Sequence, residues 1–446
     1  MLGILIFAIG LLGSIALHEI GHMVPAKKFG VKVTQYMVGF GPTLWSKRKG
    51  DTEYGIKAIP LGGYIRMIGM VPPRRDGKVS RWPRRLATAV EDFRAVSRAE
   101  VAPEDEERQF YRLTPGKKMI VMLGGPCMNL LIFVVLFVIL ITTLGTPRSA
   151  TTTTVDSVLQ CVVPANSPDA ASDTCPPAAA RTPALGQLKP GDTFLSVDGT
   201  KITSWDQLTK IIQPSAGKQL TVVVRRDGQP VTLHITPVKN LNYVGTGTTL
   251  KSVGFIGFEP RTDQYFQTVP ISGIPGQIGS QIKVGLDALG RYPSKIHSLW
   301  QTVFEGKKRD PNGAVGIVGI GRISGDYARS SLLTVQDKVF LLISLLAGVN
   351  LLLFFFNLLP LLPLDGGHVA GAIVESIKRG RARLRARGEP PVLGPDGLPQ
   401  PPAHRQIFVD TASMLPVMYG VASVLVLMTL LTLYADIVKP INPLGG

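Results

Sequence analysis

Four long apolar runs constrain this 446-residue chain more than any other feature of its sequence. They cover approximately residues 2–24, 119–144, 339–364 and 414–438. A helix rises about 1.5 Å per residue, so each run is long enough to cross a hydrocarbon core of about 30 Å. The mean hydropathy of +0.22 is high for a chain that carries 48 Lys and Arg. The pattern predicts a polytopic α-helical membrane protein with four transmembrane helices.

The basic residues predict how these helices are oriented. Lys and Arg are concentrated beside the helix ends that border segments 26–118 and 366–413, and they are sparse beside the helix ends that border segment 146–338 and the stretch after 438. Because cytoplasmic loops are enriched in Lys and Arg, we expect a plasma-membrane protein with both termini and segment 146–338 outside the cytoplasm. The formal net charge of +17 then indicates contact with membrane lipids and their anionic headgroups, and not with nucleic acid.

The first apolar run ends in the sequence HEIGH at residues 18–22. On a helix, His18 and His22 project from the same face, where two neutral imidazoles can bind Zn²⁺. Glu19 lies beside them and can act as a general base. Ionisable side chains at the end of a membrane-length run are costly, which favours a functional site over a chance match.

The third apolar run contains the sequence NLLPLLPLDGGH at residues 357–368. Pro360 and Pro363 predict a break in the helix, which membrane proteins tolerate only where the backbone is buried in protein or lines a wet cavity. Asp365 follows at the depth that the topology assigns to His18 and His22, near the cytoplasmic face. A carboxylate there would complete three zinc ligands and leave the fourth position for water.

The segment between the second and third runs contains a small soluble domain. Residues 188–237 alternate strand and turn signals around one helix at about 204–212. This order and the phrase LKPGDTFLSVDG resemble a bacterial PDZ domain, an extracytoplasmic α+β fold. Cys161 and Cys175 precede it, and the sequence leaves open whether they form a disulfide or remain two free thiols.

These signals divide the chain into ten segments. The first transmembrane helix (1–25) precedes a small membrane-associated β-hairpin sheet (26–71, with strands at 31–38 and 54–59) and a mobile cytoplasmic insert (72–117). The remaining segments are the second helix (118–145), an extracytoplasmic linker (146–183), the PDZ domain (184–240, or starting near 151), a juxtamembrane region (241–338), the third helix (339–365), a basic cytoplasmic segment (366–413) and the fourth helix (414–438). Within the juxtamembrane region we expect a surface helix at 278–304 and a packed turn at 313–325.

Taken together, these motifs resemble the site-2 protease family of intramembrane zinc metalloproteases. The likeness is greatest to the bacterial branch that cleaves anti-sigma factors, in its actinobacterial single-PDZ form. It runs through HEIGH, LGGYIRMIG, GGPCMN, the PDZ-like phrase and NLLPLLPLDGGH. The resemblance implies that His18, His22 and Asp365 bind Zn²⁺ and that Glu19 is the general base.

The same resemblance implies how substrate is held. Asn357, eight residues before Asp365, would help to position the substrate backbone. The β-hairpin segment around Gly63 and Tyr64 would receive the substrate as an added strand. The implied substrates are single-pass transmembrane proteins, anti-sigma factors among them, and the reaction would be the second cut of regulated intramembrane proteolysis. The insert at 72–107 is longer than the family pattern and inherits no role.

Two other functions compete with this interpretation. A non-catalytic, zinc-stabilised membrane scaffold with a PDZ domain would need a closed four-ligand site, and it would need neither Glu19 nor a broken third helix. A transporter would usually show repeated sets of membrane segments, which four helices divided by a soluble domain do not show. The sequence therefore favours a zinc metalloendopeptidase.

Overall fold

The computed structural model describes residues 2–73, 82–164, 166–167, 175–176, 179–243, 250–310, 312–385 and 407–441. Its helices are α1 (Leu2–Lys28), α2 (Arg84–Ala99), α3 (Pro115–Thr143), α4 (Trp205–Ile212), α5 (Ile274–Phe304), α6 (Ile317–Arg329), α7 (Val335–Asn357), α8 (Asp365–Arg385) and α9 (Leu415–Val438). Four of these, α1, α3, α7 and α9, are long and apolar enough to cross a membrane. The chain is therefore a multi-pass membrane protein, as the apolar runs predict.

The third transmembrane helix is shorter than the sequence suggests. A capping box starts α7, in which Thr334 and Asp337 exchange side-chain and backbone hydrogen bonds. The helix then ends at Asn357, because Pro360 and Pro363 cannot continue a regular helix. The chain runs through an irregular segment and resumes as α8 at Asp365.

Strands β1 (Val33–Lys49) and β2 (Thr52–Met67) form a hairpin sheet after α1. They are longer than the predicted strands, because Gly39 and Gly62 take positive φ angles of 95° and 100° and shift the pairing register without ending a strand. Residues 35–38 pair on one side with residues 53–56 and on the other with residues 63–66. Within the described sheet, residues 63–66 therefore lie at an edge.

The insert between β2 and α3 contains more structure than predicted. Helix α2 lies within it, and its buried Val90 packs against Ala412 and Leu415 at the start of α9. Arg94 of α2 is buried, donates to the carbonyl of Pro72 at 2.9 Å and pairs with Asp410. The expectation of a mobile insert is thus wrong for residues 84–99; residues 74–81 lie outside the described part of the chain.

Residues 145–268 form a separate compact unit. Its strands are β3 (Thr146–Val158), β4 (Thr193–Val197), β5 (Thr200–Lys201), β6 (Leu220–Arg226), β7 (Gln229–Ile235), β8 (Val238–Tyr243), β9 (Leu250–Phe255) and β10 (Phe258–Gln267). The main sheet has the order β10-β3-β4-β6-β7, with β5 paired to β4, and β8 pairs with β9 separately. Apolar side chains of this sheet and of α4 form one core, with Phe194 and Leu208 fully buried. Cys161 and Cys175 form a disulfide.

The region before α7 contains two helices instead of one helix and a turn. Helix α5 covers the predicted surface helix. The glycine-rich segment predicted as a turn forms α6, so that prediction is wrong. The carboxylate of Asp436 in α9 accepts hydrogen bonds from the N–H groups of Gly316 and Gly319 at 2.9 and 2.8 Å. A carboxylate that is distant in sequence therefore accepts hydrogen bonds from N–H groups at the start of α6, which have no partner within the helix.

Candidate metal centre

His18 and His22 lie one helical turn apart on α1 and face the same side. Their Nε2 atoms are 3.2 Å apart. His22 is almost fully buried, and the side chain of His18 keeps a small exposed fraction of 13%. An apolar helix of membrane length thus presents two imidazole nitrogens at one point.

Asp365 reaches the same point from the first residue of α8. Its Oδ2 atom lies 3.5 Å from Nε2 of His18 and 3.3 Å from Nε2 of His22. The glycines that follow allow the chain to fold back this closely: a Cβ on Gly366 would lie 2.5 Å from the carbonyl carbon of Leu358. Among the described residues, His18, His22 and Asp365 form the cluster of His, Cys, Asp and Glu side chains that could hold a metal ion.

The three ligand atoms have the spacing that zinc requires. Zn²⁺ binds imidazole nitrogen and carboxylate oxygen at about 2.0–2.2 Å, so two ligands at corners of a tetrahedron lie roughly 3.3–3.5 Å apart. The three observed separations are 3.2, 3.3 and 3.5 Å. Lone pairs that face one another so closely repel unless a proton or a cation lies between them. The donor set therefore fits Zn²⁺, for which the described residues supply three ligands.

Helix α3 supports both imidazoles from behind. The Nδ1–H of His22 can donate to the carbonyl oxygen of Val121 at 2.8 Å, which leaves the Nε2 lone pair free. The amide nitrogen of Asn129 lies 3.1 Å from Nδ1 of His18. The Oδ1 atom of Asn129 is buried without a hydrogen-bond partner among the described residues. Turning this amide over would let Oδ1 accept from Nδ1–H of His18 and free its Nε2 in the same way.

Glycines bring α3 close enough to give this support. A Cβ on Gly124 would lie 2.7 Å from the carbonyl carbon of Gly21 in α1. A Cβ on Gly125 would lie 2.6 Å from Cδ2 of His22 and 2.7 Å from Cε1 of His18. Side chains at these positions would displace the imidazoles, so the close approach of the two helices requires glycine.

Glu19 points toward the hairpin sheet. It is 9% exposed, and the backbone of Ile65 lies beside its carboxylate. A Cβ on Gly63 would lie 3.2 Å from Cγ of Glu19. Tyr64 follows and stacks on Phe40 with ring centroids 6.1 Å apart. The edge segment 63–66 therefore lies next to the carboxylate that the sequence singles out as a base.

Asn357 is the last residue of α7, so the irregular segment separates it from Asp365. The structure thus brings His18, His22, Asp365 and Glu19 together with Gly63, and it places Asn357 on the other side of the break. Sequence reasoning missed Val121, because a backbone carbonyl leaves no signal in a residue pattern. Asn129 places a polar amide in an apolar run, which is unusual, but its position in the sequence does not reveal the contact with His18.

Comparison with known proteins agrees with this geometry. The family model described as peptidase family M50 matches residues 6–388. A protein named zinc metalloprotease Rip1 from Mycobacterium tuberculosis is 33% identical over 99% of this chain and 98% of its own length. The protein of that name from Mycolicibacterium smegmatis is 31% identical over the same shares. The metalloprotease MmpA of Caulobacter vibrioides is 25% identical over 87% of this chain and 92% of its own. With a family match along most of its length and relatives along nearly all of it, the chain belongs to peptidase family M50, the site-2 protease family.

Proposed function

We propose that this zinc metalloprotease of family M50 hydrolyses a peptide bond within or near the transmembrane helix of single-pass membrane proteins. The observation that carries the proposal is the convergence of His18, His22 and Asp365 on one point of a membrane-length helix, with Glu19 beside them. Hydrolysis needs water, and ionisable groups at membrane depth line wet cavities. We place the site near the cytoplasmic face, because the distribution of Lys and Arg predicts that this end of α1 lies there.

In this proposal the chain's own residues hold the ion and leave it accessible. His18 and His22 supply Nε2, and Asp365 supplies one carboxylate oxygen. A zinc ion held there would supply Lewis acidity for activating water and polarising a carbonyl. The Asp365 side chain is 21% exposed, so the cluster is not sealed. A scaffold with a closed four-ligand site is disfavoured, because the described residues supply three ligands.

Glu19 is the residue we assign as general base. Its carboxylate is held between α1 and the edge segment 63–66, where it can take a proton from the attacking water and pass it to the leaving amine. Consecutive residues of a helix point about 100° apart, so the Glu19 side chain lies off the face that carries His18 and His22 and outside the three-ligand cluster.

The hairpin sheet is the part of the chain that we assign to substrate binding. A transmembrane helix keeps its carbonyls in internal hydrogen bonds, so it must unwind before it can be cut. The edge at Gly63 and Tyr64 offers backbone groups that an extended substrate can pair with, next to Glu19. We assign Asn357 a supporting role in holding the substrate backbone.

The unit at residues 145–268 supports a finer proposal about access. Its antiparallel sheet with one capped helix, α4, fits the PDZ fold that the sequence resembles. We propose that it lies outside the cytoplasm with both termini and excludes substrates whose ectodomains are intact. The protease would then make the second cut in regulated intramembrane proteolysis, with anti-sigma factors as one substrate class.

The decisive experiment replaces Glu19 by glutamine. The purified Glu19→Gln chain should retain Zn²⁺ at wild-type stoichiometry by elemental analysis, while cleavage of a reporter transmembrane helix in detergent falls below detection. Glu305→Gln, which changes a carboxylate exposed elsewhere on the chain, serves as the matched control and should cleave normally. Cleavage by Glu19→Gln at the rate of this control would refute the assignment of the base.

A further inference from the structure

A buried ion cluster lies away from the metal centre, on α3 and α8. The Glu375 carboxylate of α8 is 2% exposed and accepts two hydrogen bonds from Nζ of Lys118, at 2.9 and 2.8 Å. Arg379, one turn further along α8, pairs with the same carboxylate at 2.7 Å. The N–H of Val409 donates to it at 3.3 Å. Two cations and one backbone donor thus surround a single carboxylate.

The aromatic ring of Phe408 closes this cluster. It lies 5.4 Å from Nζ of Lys118 and 5.3 Å from Cζ of Arg379, within range of a cation–π attraction to each. Arg379 also donates to the carbonyl of Ile407 at 2.9 Å. The positive charge that Glu375 does not neutralise therefore lies against the Phe408 ring and the Ile407 carbonyl. These contacts fix α8 against α3.

Helix α3 connects this ion cluster to the metal centre. Lys118, which holds Glu375, lies three residues before Val121, whose carbonyl accepts from His22. Both contacts come from the same turn of α3. One helical turn therefore fixes α1, which carries the two histidines, and α8, which begins with Asp365.

The distance between Glu375 and Asp365 along α8 makes the metal centre sensitive to small tilts of this helix. Asp365 and Glu375 are ten residues apart on one helix, a distance of about 15 Å. A tilt of α8 by about 4° around the cluster would move the Asp365 carboxylate by roughly 1 Å. Metal–ligand distances hold within about 0.2 Å, so a movement of this size would remove a ligand.

We propose that Lys118 and Glu375 are positioning residues that hold Asp365 at the height of His18 and His22. The inference rests on the proposed function, in which these three side chains bind Zn²⁺. Removing one partner of a buried pair leaves an uncompensated charge, so the helices would shift to admit water.

The test measures Zn²⁺ affinity of purified full-length protein in detergent by competition with a chromophoric chelator, well below the unfolding temperature of each variant. Glu375→Gln should weaken Zn²⁺ binding roughly tenfold, as loss of a group that orients a ligand does. Asp436→Asn is the matched control, because Asp436 is equally buried and pairs with Arg309, whose side chain is 6% exposed. This control should lower the unfolding temperature and leave Zn²⁺ affinity unchanged.

A second variant covers the case in which Glu375→Gln does not fold. Glu375→Asp keeps the charge paired but draws the carboxylate back by one methylene, and it should weaken Zn²⁺ binding by shifting α8, by less than the roughly tenfold loss expected for Glu375→Gln. Wild-type affinity in a folded Glu375 variant, or an equal loss in Asp436→Asn, would overturn the proposal. Asp365→Ala distinguishes a wrong ligand set from a wrong positioning role. If it too binds Zn²⁺ normally, the assigned ligand set is wrong. If it alone loses Zn²⁺, the positioning role fails and the ligand set stands.

Discussion

Replacing Gly125 by alanine should disrupt the metal centre without removing any polar group. The added methyl would lie 2.6 Å from Cδ2 of His22 and 2.7 Å from Cε1 of His18. Non-bonded carbon atoms pack no closer than about 3.5 Å, so each imidazole would have to retreat by roughly 1 Å. Because zinc ligands keep their distances within about 0.2 Å, neither histidine could remain a ligand in its present place.

The size of the effect follows from the same geometry. Overpacking of this kind typically costs about 1–3 kcal/mol of stability, which a well-packed membrane protein can survive. Displacing a ligand costs metal affinity more severely, and we expect Zn²⁺ binding to weaken by about 100-fold. Gly116→Ala on the same helix is the matched control, because a Cβ there would meet nothing within 4 Å. It should bind Zn²⁺ normally and can stabilise α3 by up to about 1 kcal/mol.

The assay compares both variants for bound Zn²⁺ after dialysis against a weak chelator, and for cleavage of a reporter transmembrane helix. Gly125→Ala should lose Zn²⁺ and cleavage together, while its thermal unfolding in detergent remains cooperative. A Gly125→Ala protein that keeps Zn²⁺ and cleaves the reporter as fast as Gly116→Ala would refute the reasoning, since it would show that the imidazoles are not held against α3.

Three further predictions concern the support of the site, the metal itself and the soluble unit. Asn129→Leu should weaken Zn²⁺ affinity roughly tenfold in a chelator competition, because His18 loses the group that orients it. Removal of Zn²⁺ with a strong chelator should abolish reporter cleavage, and added Zn²⁺ should restore it where Mg²⁺ does not. Burial raises the pKa of Asp192, but hydrogen bonds from Arg226 and from the N–H of Lys189 outweigh it and hold the pKa below its usual value of 3.8. Their stabilisation is complete above that value and is lost as the pH falls through the lowered pKa, so the hydrogen-exchange protection factors of β4 and β6 should fall in acid, and less steeply in Arg226→Gln.

The parts of the fold that the sequence predicted are those with local causes. Apolar runs of membrane length define α1, α3, α7 and α9, and Pro360 and Pro363 end the third of these. The HEIGH spacing places His18 and His22 on one helix face whatever surrounds it. Each of these signals lies within a short window, where periodicity and backbone chemistry suffice.

The predictions that failed depended on distant partners. The glycine-rich segment became α6 because Asp436, more than a hundred residues away, caps its start. Helix α2 formed inside the insert because Val90 and Arg94 found partners beside α9. The disulfide between Cys161 and Cys175 was undecided for a related reason, since spacing alone does not fix how two segments meet.

The second transmembrane helix shows why a ligand motif does not by itself make a site. Helix α3 supplies none of the three side chains in the cluster. Even so, the imidazole of His22 is hydrogen-bonded to its Val121 carbonyl, and the imidazole of His18 is hydrogen-bonded to its Asn129. Its glycines admit the imidazoles, and its Lys118 holds the helix that carries Asp365. Transplanting HEIGH and the Asp-Gly-Gly sequence onto other helices would therefore reproduce the ligands without their spacing. The separations of 3.2–3.5 Å, which suit a zinc ion, depend on a helix that the ligand motifs do not mention.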